Sequence, residues 1–208
     1  MNLNAYGLTN YWPIKANEDD YVGTAHMIYG ANNSFCPDRF NNANLAINFE
    51  NGFNSVPPGV YFSGDFTISL WISLNQIASL TKIVEFSNNK SDLVSVYASS
   101  NKIGLVIGKG AVSMDTPFTQ SLQLNQWYFF SVAFCETKAK FYLDGNLKYS
   151  ATQLVPNGIV RTTNYVGGNN FGNAKLNAKI DELRIYNRCL SQNEIMNLMN
   201  FVNTSPDE

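Results

Sequence analysis

Residues 66–74, which read Phe-Thr-Ile-Ser-Leu-Trp-Ile-Ser-Leu, decide the fold class of this chain. Large apolar side chains occupy every second position from Phe66 to Leu74, and three of the four positions between them are Thr or Ser. Successive side chains of a strand point to opposite faces of a sheet, so this alternation predicts a strand with one face in the core. Trp71 is the exception on the second face, and its parity predicts a ring that points away from the core.

Short apolar runs bounded by turn residues recur along the rest of the chain and predict further strands. Asp144-Gly145 supplies the positive φ that a tight hairpin requires, so a hairpin is predicted between Leu143 and Leu147. The predicted strands are Leu8–Ile14, Lys82–Phe86, Leu93–Ala98, Ile103–Ile107, Trp127–Phe134, Ala139–Leu143 and Lys179–Tyr186.

One helix is predicted, close to the C-terminus. Ser191 and Glu194 have the spacing of a capping box, in which each side chain bonds the backbone N–H of the other residue. Ile195, Leu198 and Met199 then fall on one helical face. Many short strands followed by one terminal helix predict an all-β, two-sheet antiparallel β-sandwich of the jelly-roll type.

Composition bounds the domain count and excludes two classes of function. The chain has 208 residues and a net charge of −2, and only 14% of its residues are charged. We expect a single domain over residues 1–203 and a polar tail at 204–208. Nucleic acid is excluded as a partner, because a nucleic-acid binder would show a basic stripe. No apolar run approaches the roughly 18 residues that a membrane span requires.

Four stretches of the sequence, residues 11–23, 38–49, 64–72 and 180–195, resemble laminin-G-like domains of the concanavalin A-type jelly-roll fold. The last stretch, which begins Ile-Asp-Glu-Leu-Arg-Ile-Tyr-Asn-Arg, is the most specific of the four. The resemblance implies a non-catalytic recognition module that is extracellular or at the cell surface, as a domain of a larger secreted protein.

The ligand class rests on the surface that the composition provides. Asn is the dominant polar residue, with 29 copies, and 13% of the residues are aromatic. Amides and rings suit sugars, so a glycan or glycoprotein is the first expected partner. The alternatives are a protein–protein adhesion module, and an accessory domain of a larger cell-surface or hydrolytic protein.

The resemblance also implies a structural Ca²⁺ ion. In many relatives of this fold a cation joins the N-terminal segment to the last strand, and Asp20 and Asp181 match those positions. Carboxylate oxygens are the ligands that calcium prefers, and Asp19 and Glu50 are further candidate ligands. The alternative is that Asp20 is a turn former and Asp181 a hydrogen-bonded strand carboxylate.

The middle of the chain resembles pentraxins, which implies a ligand site on a rim of loops. The corresponding segments are 87–92 and 167–173, and the second carries amides where the resemblance implies carboxylates. Direct sugar binding by amides is therefore favoured over a pair of calcium ions, and ordinary turn residues are the alternative. The predicted rim residues are Asn88, Asn89, Asp92, Asn169 and Asn170.

Trp71 is the sixth predicted ligand-binding residue, as a ring on which a sugar could stack, although packing under a covering loop is the alternative. Catalysis is not expected. Glycoside hydrolysis requires two carboxylates across one bond, and Asp181 and Glu182, being consecutive, are expected to point to opposite faces of a strand.

Three cysteines allow at most one internal disulfide. In the fold that the resemblance implies, the N-terminal region lies beside the last strand. A bridge between Cys36 and Cys189 is therefore expected, which leaves Cys135 as the free thiol.

Overall fold

The alternating segments form antiparallel strands in the computed structural model of the protein, which describes residues 6–76, 80–88, 91–100, 102–169 and 175–201. In chain order the elements in these ranges are β1 (Leu8–Trp12), β2 (Ile28–Cys36), β3 (Ala46–Val56), β4 (Phe66–Leu74), β5 (Thr81–Asn88), β6 (Asp92–Ser99), β7 (Lys102–Lys109), β8 (Val112–Thr119), β9 (Trp127–Cys135), β10 (Lys138–Leu143), β11 (Asn146–Thr152), β12 (Thr163–Val166), β13 (Leu176–Tyr186) and α1 (Gln192–Met199).

Hydrogen bonding is continuous in the order β11-β10-β9-β4-β13-β3-β12-β5-β6-β7-β8, with β1 added to β13 and β2 added to β3. Apolar side chains of β4, β9 and β10 belong to one buried cluster with those of β5, β6 and β7. The strands therefore form two layers around a shared core. We call β11, β10, β9, β4 and β13 the helix layer, and β3, β12, β5, β6, β7 and β8 the open layer.

The predicted alternation of core-facing and outward-facing side chains in β4 is confirmed. Phe66, Ile68, Leu70 and Ile72 are at most 1% exposed, and all four belong to the core between the layers. Complete burial of such side chains stabilises the fold by about 1.5–3 kcal/mol each, before the opposing chain entropy.

The outer face of the helix layer carries a second, smaller apolar cluster. Ile195 and Leu198 of α1 pack there with Phe129, Tyr142 and Tyr186. The predicted capping box is confirmed: Ser191 accepts a hydrogen bond from the Glu194 N–H, and the Glu194 carboxylate accepts one from the Ser191 N–H. Helix α1 therefore covers part of the outer face of the helix layer, a face that the polar residues of β4 predict to be exposed to solvent.

The predicted hairpin joins β10 to β11. Asp144 and Gly145 have φ values of 49° and 72°, and Leu143 pairs with Asn146 across this two-residue turn. The all-β antiparallel sandwich with one short C-terminal helix is confirmed.

Candidate functional site

A β-bulge in β13 brings the predicted calcium ligand Asp181 together with the neighbouring Glu182 carboxylate. The pairing of β13 with β4 shifts register between Asp181 and Arg184, and Glu182 has a φ of 51°. Arg39 Nη1 donates to Asp181 Oδ2 at 3.1 Å and to Glu182 Oε1 at 3.2 Å. The prediction that Asp181 and Glu182 point to opposite faces is wrong, because the extra residue of a bulge interrupts the alternation.

The charges at this bulge are buried and paired. The side chains of Asp181 and Glu182 are 2% and 0% exposed, and Arg184 Nη2 lies 2.8 Å from Glu182 Oε2. Burial raises the pKa of Asp181 to about 8, the Glu182 carboxylate adds to the rise, and the Arg39 guanidinium opposes it. Arg39 and Arg184 therefore supply the positive charge at the position where the resemblance implied a calcium ion.

The second expected calcium ligand, Asp20, organises its own loop. Its Oδ1 accepts from the backbone N–H groups of Tyr11, Val22 and Gly23, and its Oδ2 accepts from Asn10 Nδ2 and the Ala25 N–H, at 2.7–3.2 Å. Burial alone would raise the pKa of Asp20, but these hydrogen bonds lower it below its ordinary value.

Asp20 and Asp181 do not fit a shared calcium site. A carboxylate offers about four lone-pair positions, and Asp20 already accepts five hydrogen bonds. Asp181 is paired with Arg39. Among the described residues no group of three or more His, Cys, Asp or Glu side chains could hold a metal ion. Calcium therefore remains a prediction that only the resemblance supports.

The expected disulfide is wrong. Cys135, at the end of β9, is bonded to Cys189, with Cα atoms 5.1 Å apart, and Cys36 is the free thiol. The bridge follows from the position of Cys189, which lies beyond β13 in the segment that leads to α1, over the face of β9. Burial raises the pKa of the half-buried Cys36 thiol to about 11.

Trp71 points away from the main core, as its parity predicts, but it is not a free platform. Its ring lies 5.3 Å from the Phe129 ring, and the Arg39 guanidinium lies 4.4 Å above it. Trp71 packs against the cluster under α1. The position of Trp71 therefore matches the alternative that it packs under a covering loop, and the loop is the segment that carries Arg39.

Two of the predicted rim residues, Asn88 and Asn169, lie at opposite ends of a strand ladder. Thr163 pairs with Ser87 and Val166 pairs with Val84, so Asn88 and Asn169 lie beyond opposite ends of the β5–β12 ladder. The Thr163–Ser87 pair and the Val166–Val84 pair are three residues apart along the strands, which is about 10 Å. Asn89 and Asn170 lie outside the described residues.

Asn88 and Asp92 are used to hold a neighbouring loop. Asp92 Oδ1 accepts from Asn157 Nδ2 at 2.6 Å, and Asn88 Oδ1 accepts from Thr162 Oγ1 at 3.4 Å. Asn157 in turn accepts from the fully buried Arg161 through its carbonyl. These contacts give both residues a structural role in fixing the 157–162 segment.

The open layer carries a cavity of about 300 Å³ on the face that points away from the main core. Its lining residues come from the start of β5, from β6, β7 and β8, and from the residue before β5. They are Leu80, Lys82, Tyr97, Ser99, Lys102, Val106, Asp115 and Pro117. We call this cavity the open-layer pocket.

Tyr97 forms the floor of the open-layer pocket. A Cβ at Gly104 would clash with Tyr97 Cζ, so only glycine at that position lets the ring lie across β7. The Tyr97 hydroxyl donates to Asp115, with its two carboxylate oxygens at 2.9 and 3.0 Å. Burial and the Asp115 carboxylate raise the pKa of Tyr97, so the phenol keeps its proton and remains a donor.

Lys82 closes one side of the open-layer pocket, with its Nζ 5.2 Å from the centre of the Tyr97 ring. Burial lowers the pKa of Lys82, while the nearby Glu85 and Asp115 carboxylates act in the opposite direction. Farther along the same face, Phe53 and Tyr165 form an edge-to-face pair with ring centres 5.6 Å apart, and Lys175 Nζ lies 4.3 Å from the Phe53 ring. The face therefore offers aromatic groups together with ammonium and carboxylate groups.

Sequence reasoning missed the open-layer pocket, although a signal was present. Tyr97 alternates with the core residues Val96 and Ala98, just as Val106 alternates with Leu105 and Ile107. The alternation that predicted an outward-pointing ring at Trp71 also predicts that Tyr97 and Val106 point away from the core. What the sequence does not show is that β6 and β7 are neighbours with Tyr97 opposite Gly104.

Comparison with known proteins identifies a family. The model of a laminin G family in the concanavalin A-like lectin/glucanases superfamily matches residues 49–196. A search of curated proteins finds no match to the chain.

Several solved structures share the fold. Domain 4 of AbnA, an extracellular family GH43 arabinanase of Geobacillus stearothermophilus solved with arabinotriose, has a TM-score of 0.79 and 19% identity, covering 93% of this chain and 98% of that one. The botulinum neurotoxin serotype G binding domain has a TM-score of 0.72 and 18% identity, covering 92% of this chain and 50% of that one. A botulinum neurotoxin type C structure, whose description concerns cell entry dependent on two ganglioside molecules, has a TM-score of 0.75 and 19% identity, with coverages of 96% and 52%.

This chain therefore spans about half the length of the neurotoxin binding domains that it matches. None of the helices in the described ranges is both long and apolar enough to cross a membrane.

Proposed function

Because the chain belongs to the concanavalin A-like lectin/glucanases superfamily, we propose that it is a non-catalytic carbohydrate-binding module whose ligand occupies the open-layer pocket. The observation that carries the proposal is the pocket itself. It combines an aromatic floor, Tyr97, with polar groups from Lys82, Lys102 and Asp115 in a concave site on the layer that α1 does not cover. Binding sites for small ligands have this make-up, with apolar walls and a few converging polar groups.

Two of the structural neighbours support a glycan as the ligand class. The arabinanase domain was solved with arabinotriose, and the type C neurotoxin structure concerns ganglioside molecules. At 19% identity both share the fold alone with this chain, so the site is argued from this chain's own residues.

The positions of the carboxylates support a binding role over hydrolysis. Glu85 of β5 and Asp115 of β8 lie on the face of the open-layer pocket. Ser95 of β6 and Val106 of β7 lie between them in the same row of paired residues. Three strand spacings separate their backbones by about 14 Å. The two carboxyl groups of a glycosidase lie about 5–9.5 Å apart across the bond that they cleave, whereas Glu85 is only 1% exposed and Asp115 is bonded by the Tyr97 hydroxyl. The buried Asp181 and Glu182 are engaged by arginines.

An extracellular location is part of the same proposal. The Cys135–Cys189 disulfide suits an oxidising compartment, and the arabinanase neighbour is described as extracellular.

A protein ligand is the second candidate, and one feature favours it. Ile28 and Tyr29 of β2 are 59% and 60% exposed, and within the described ranges this strand pairs with β3 alone. Exposed apolar side chains on a sheet edge can take part in protein–protein contacts.

Filling the pocket tests the proposal. Val106→Phe adds a ring inside the open-layer pocket and removes no hydrogen bond, so we expect affinity for the bound oligosaccharide to fall at least tenfold, measured by calorimetric titration. Val112→Phe is the matched control, since Val112 is an exposed valine of β8 outside the lining. Val106→Phe protein that is folded and binds with unchanged affinity would contradict the pocket as the site.

A further inference from the structure

We propose that the open-layer pocket selects acidic glycans, in which a carboxylate or sulfate group binds between Lys82 and Lys102. This inference rests on the proposed carbohydrate-binding function and names its substrate class. The two lysines line the pocket from β5 and β7, the strands that flank β6 and its Tyr97. An anionic group above the ring would therefore meet an ammonium group on two sides.

Neither lysine is neutralised by an ion pair within the described part of the chain. The ion pairs found there involve His26, Arg39, Arg184 and Arg188 as the cationic partners. Lys82 instead lies over the Tyr97 ring, and Lys102 is exposed.

The one exposed carboxylate in the lining is already committed. Both oxygens of Asp115 lie within 3.0 Å of the Tyr97 hydroxyl, which donates to them. This hydrogen bond holds the Asp115 carboxylate toward the ring. Asp115 therefore fixes the floor of the pocket, while the lysines remain available to a ligand.

Partial burial sharpens the preference of Lys82 for an anion. Burial lowers the pKa of Lys82, which means that its ammonium group has lost hydration that the neighbouring carboxylates do not fully replace. A ligand carboxylate or sulfate would replace that hydration with a charge-assisted hydrogen bond, which is about twice as strong as a neutral one. A neutral hydroxyl would offer less.

The chain as a whole carries a net charge of −2, so its overall field does not attract an acidic polymer. Selection must then come from the local lysines, with Lys175 farther along the same face over Phe53. The cavity of about 300 Å³ is at the small end of the range for ligand sites, which suits one charged sugar residue of a longer chain.

The test uses pairs of glycans in which one member lacks the negative charge of the other: oligogalacturonate and its methyl ester, sialyllactose and its methyl ester, and sulfated lactose and lactose. Arabinotriose is added as a neutral reference. We expect the acidic member of at least one pair to bind at least tenfold more tightly than its neutral partner, with an affinity that falls as salt rises.

The double variant Lys82→Gln, Lys102→Gln should reduce that preference to about twofold or less. The control is Lys138→Gln, Lys148→Gln, which removes the same charge from exposed positions of the helix layer. Binding only of neutral glycans, or equal loss in both double variants, would overturn the acidic selectivity and leave the carbohydrate-binding proposal standing. Binding of none of the seven glycans would contradict the carbohydrate-binding proposal itself.

Discussion

Two positions at which the sequence predicts a ligand or a metal ion are filled by one side chain of the protein itself, that of Arg39. Arg39 lies between the Phe40 and Trp71 rings, at 4.5 and 4.4 Å, and bonds both carboxylates of the β13 bulge. The sequence identified Asp181 and Trp71 as unusual positions. It could not show that both are served by a residue 142 positions from Asp181, because the contact depends on the tertiary fold.

Asp20 gives a direct test of the calcium expectation. We predict that Asp20→Ala lowers the free energy of unfolding by about 2 kcal/mol or more, because it leaves several buried donors without an acceptor. Addition of EDTA should leave the melting temperature of the parent protein unchanged. Denaturant unfolding of both proteins, with the exposed Asp19→Ala as control, measures the first effect. A melting temperature that falls on chelation and recovers with calcium would show that a bound ion, absent from this account, stabilises the fold.

The same residue sets a pH dependence with a definite sign. The folded pKa of Asp20 is lowered, so the folded state holds its carboxylate ionised at a pH where the unfolded chain binds a proton. Its contribution to stability is therefore present above the unfolded pKa of about 3.9 and is lost as the pH falls through the folded value. Asp20→Ala should remove that part of the acid destabilisation.

At the scale of elements, the sequence predicted β1, β4, β5, β6, β7, β9, β10 and most of β13, and it missed β2, β3, β8 and β12. β4, β6, β7 and β9 combine regular alternation with large apolar residues. β8 contains Asp115 and Pro117, which disfavour a strand, yet it pairs without interruption along β7 as an edge strand. β2 was missed because its pairing with β3 shifts register twice and Asn32 has a φ of 50°.

The disulfide links two elements and gives a second stability prediction. Cys135 and Cys189 are 54 residues apart, and closing such a loop in the unfolded chain stabilises the native state by about 4 kcal/mol in the chain-entropy description. The double variant Cys135→Ala, Cys189→Ala should lose a free energy of this order, and Cys36→Ala should lose about 1 kcal/mol or less. Peptide mapping under non-reducing conditions checks the pairing independently. A bridge that contains Cys36 would contradict the structure.

At the scale of the whole molecule, the two outer faces differ. The face of the helix layer is covered by α1 and by Arg39, so Trp71 is part of a packed cluster. No described helix covers the open layer, where Tyr97, Lys82 and Asp115 meet. The sequence predicted the sandwich and its terminal helix. It could not assign the helix to one layer, since this depends on which strands are neighbours.

The central claim is that carbohydrate binds at the open-layer pocket, and mapping of backbone amide shifts by NMR during titration tests it most directly. Oligogalacturonate and arabinotriose would be titrated separately into labelled protein. The account predicts saturable shifts that centre on Lys82, Tyr97, Gly104, Val106 and Asp115, larger with the acidic ligand. Saturable shifts confined instead to Trp71 and Phe40, or to the turn that joins β5 to β6, would contradict it.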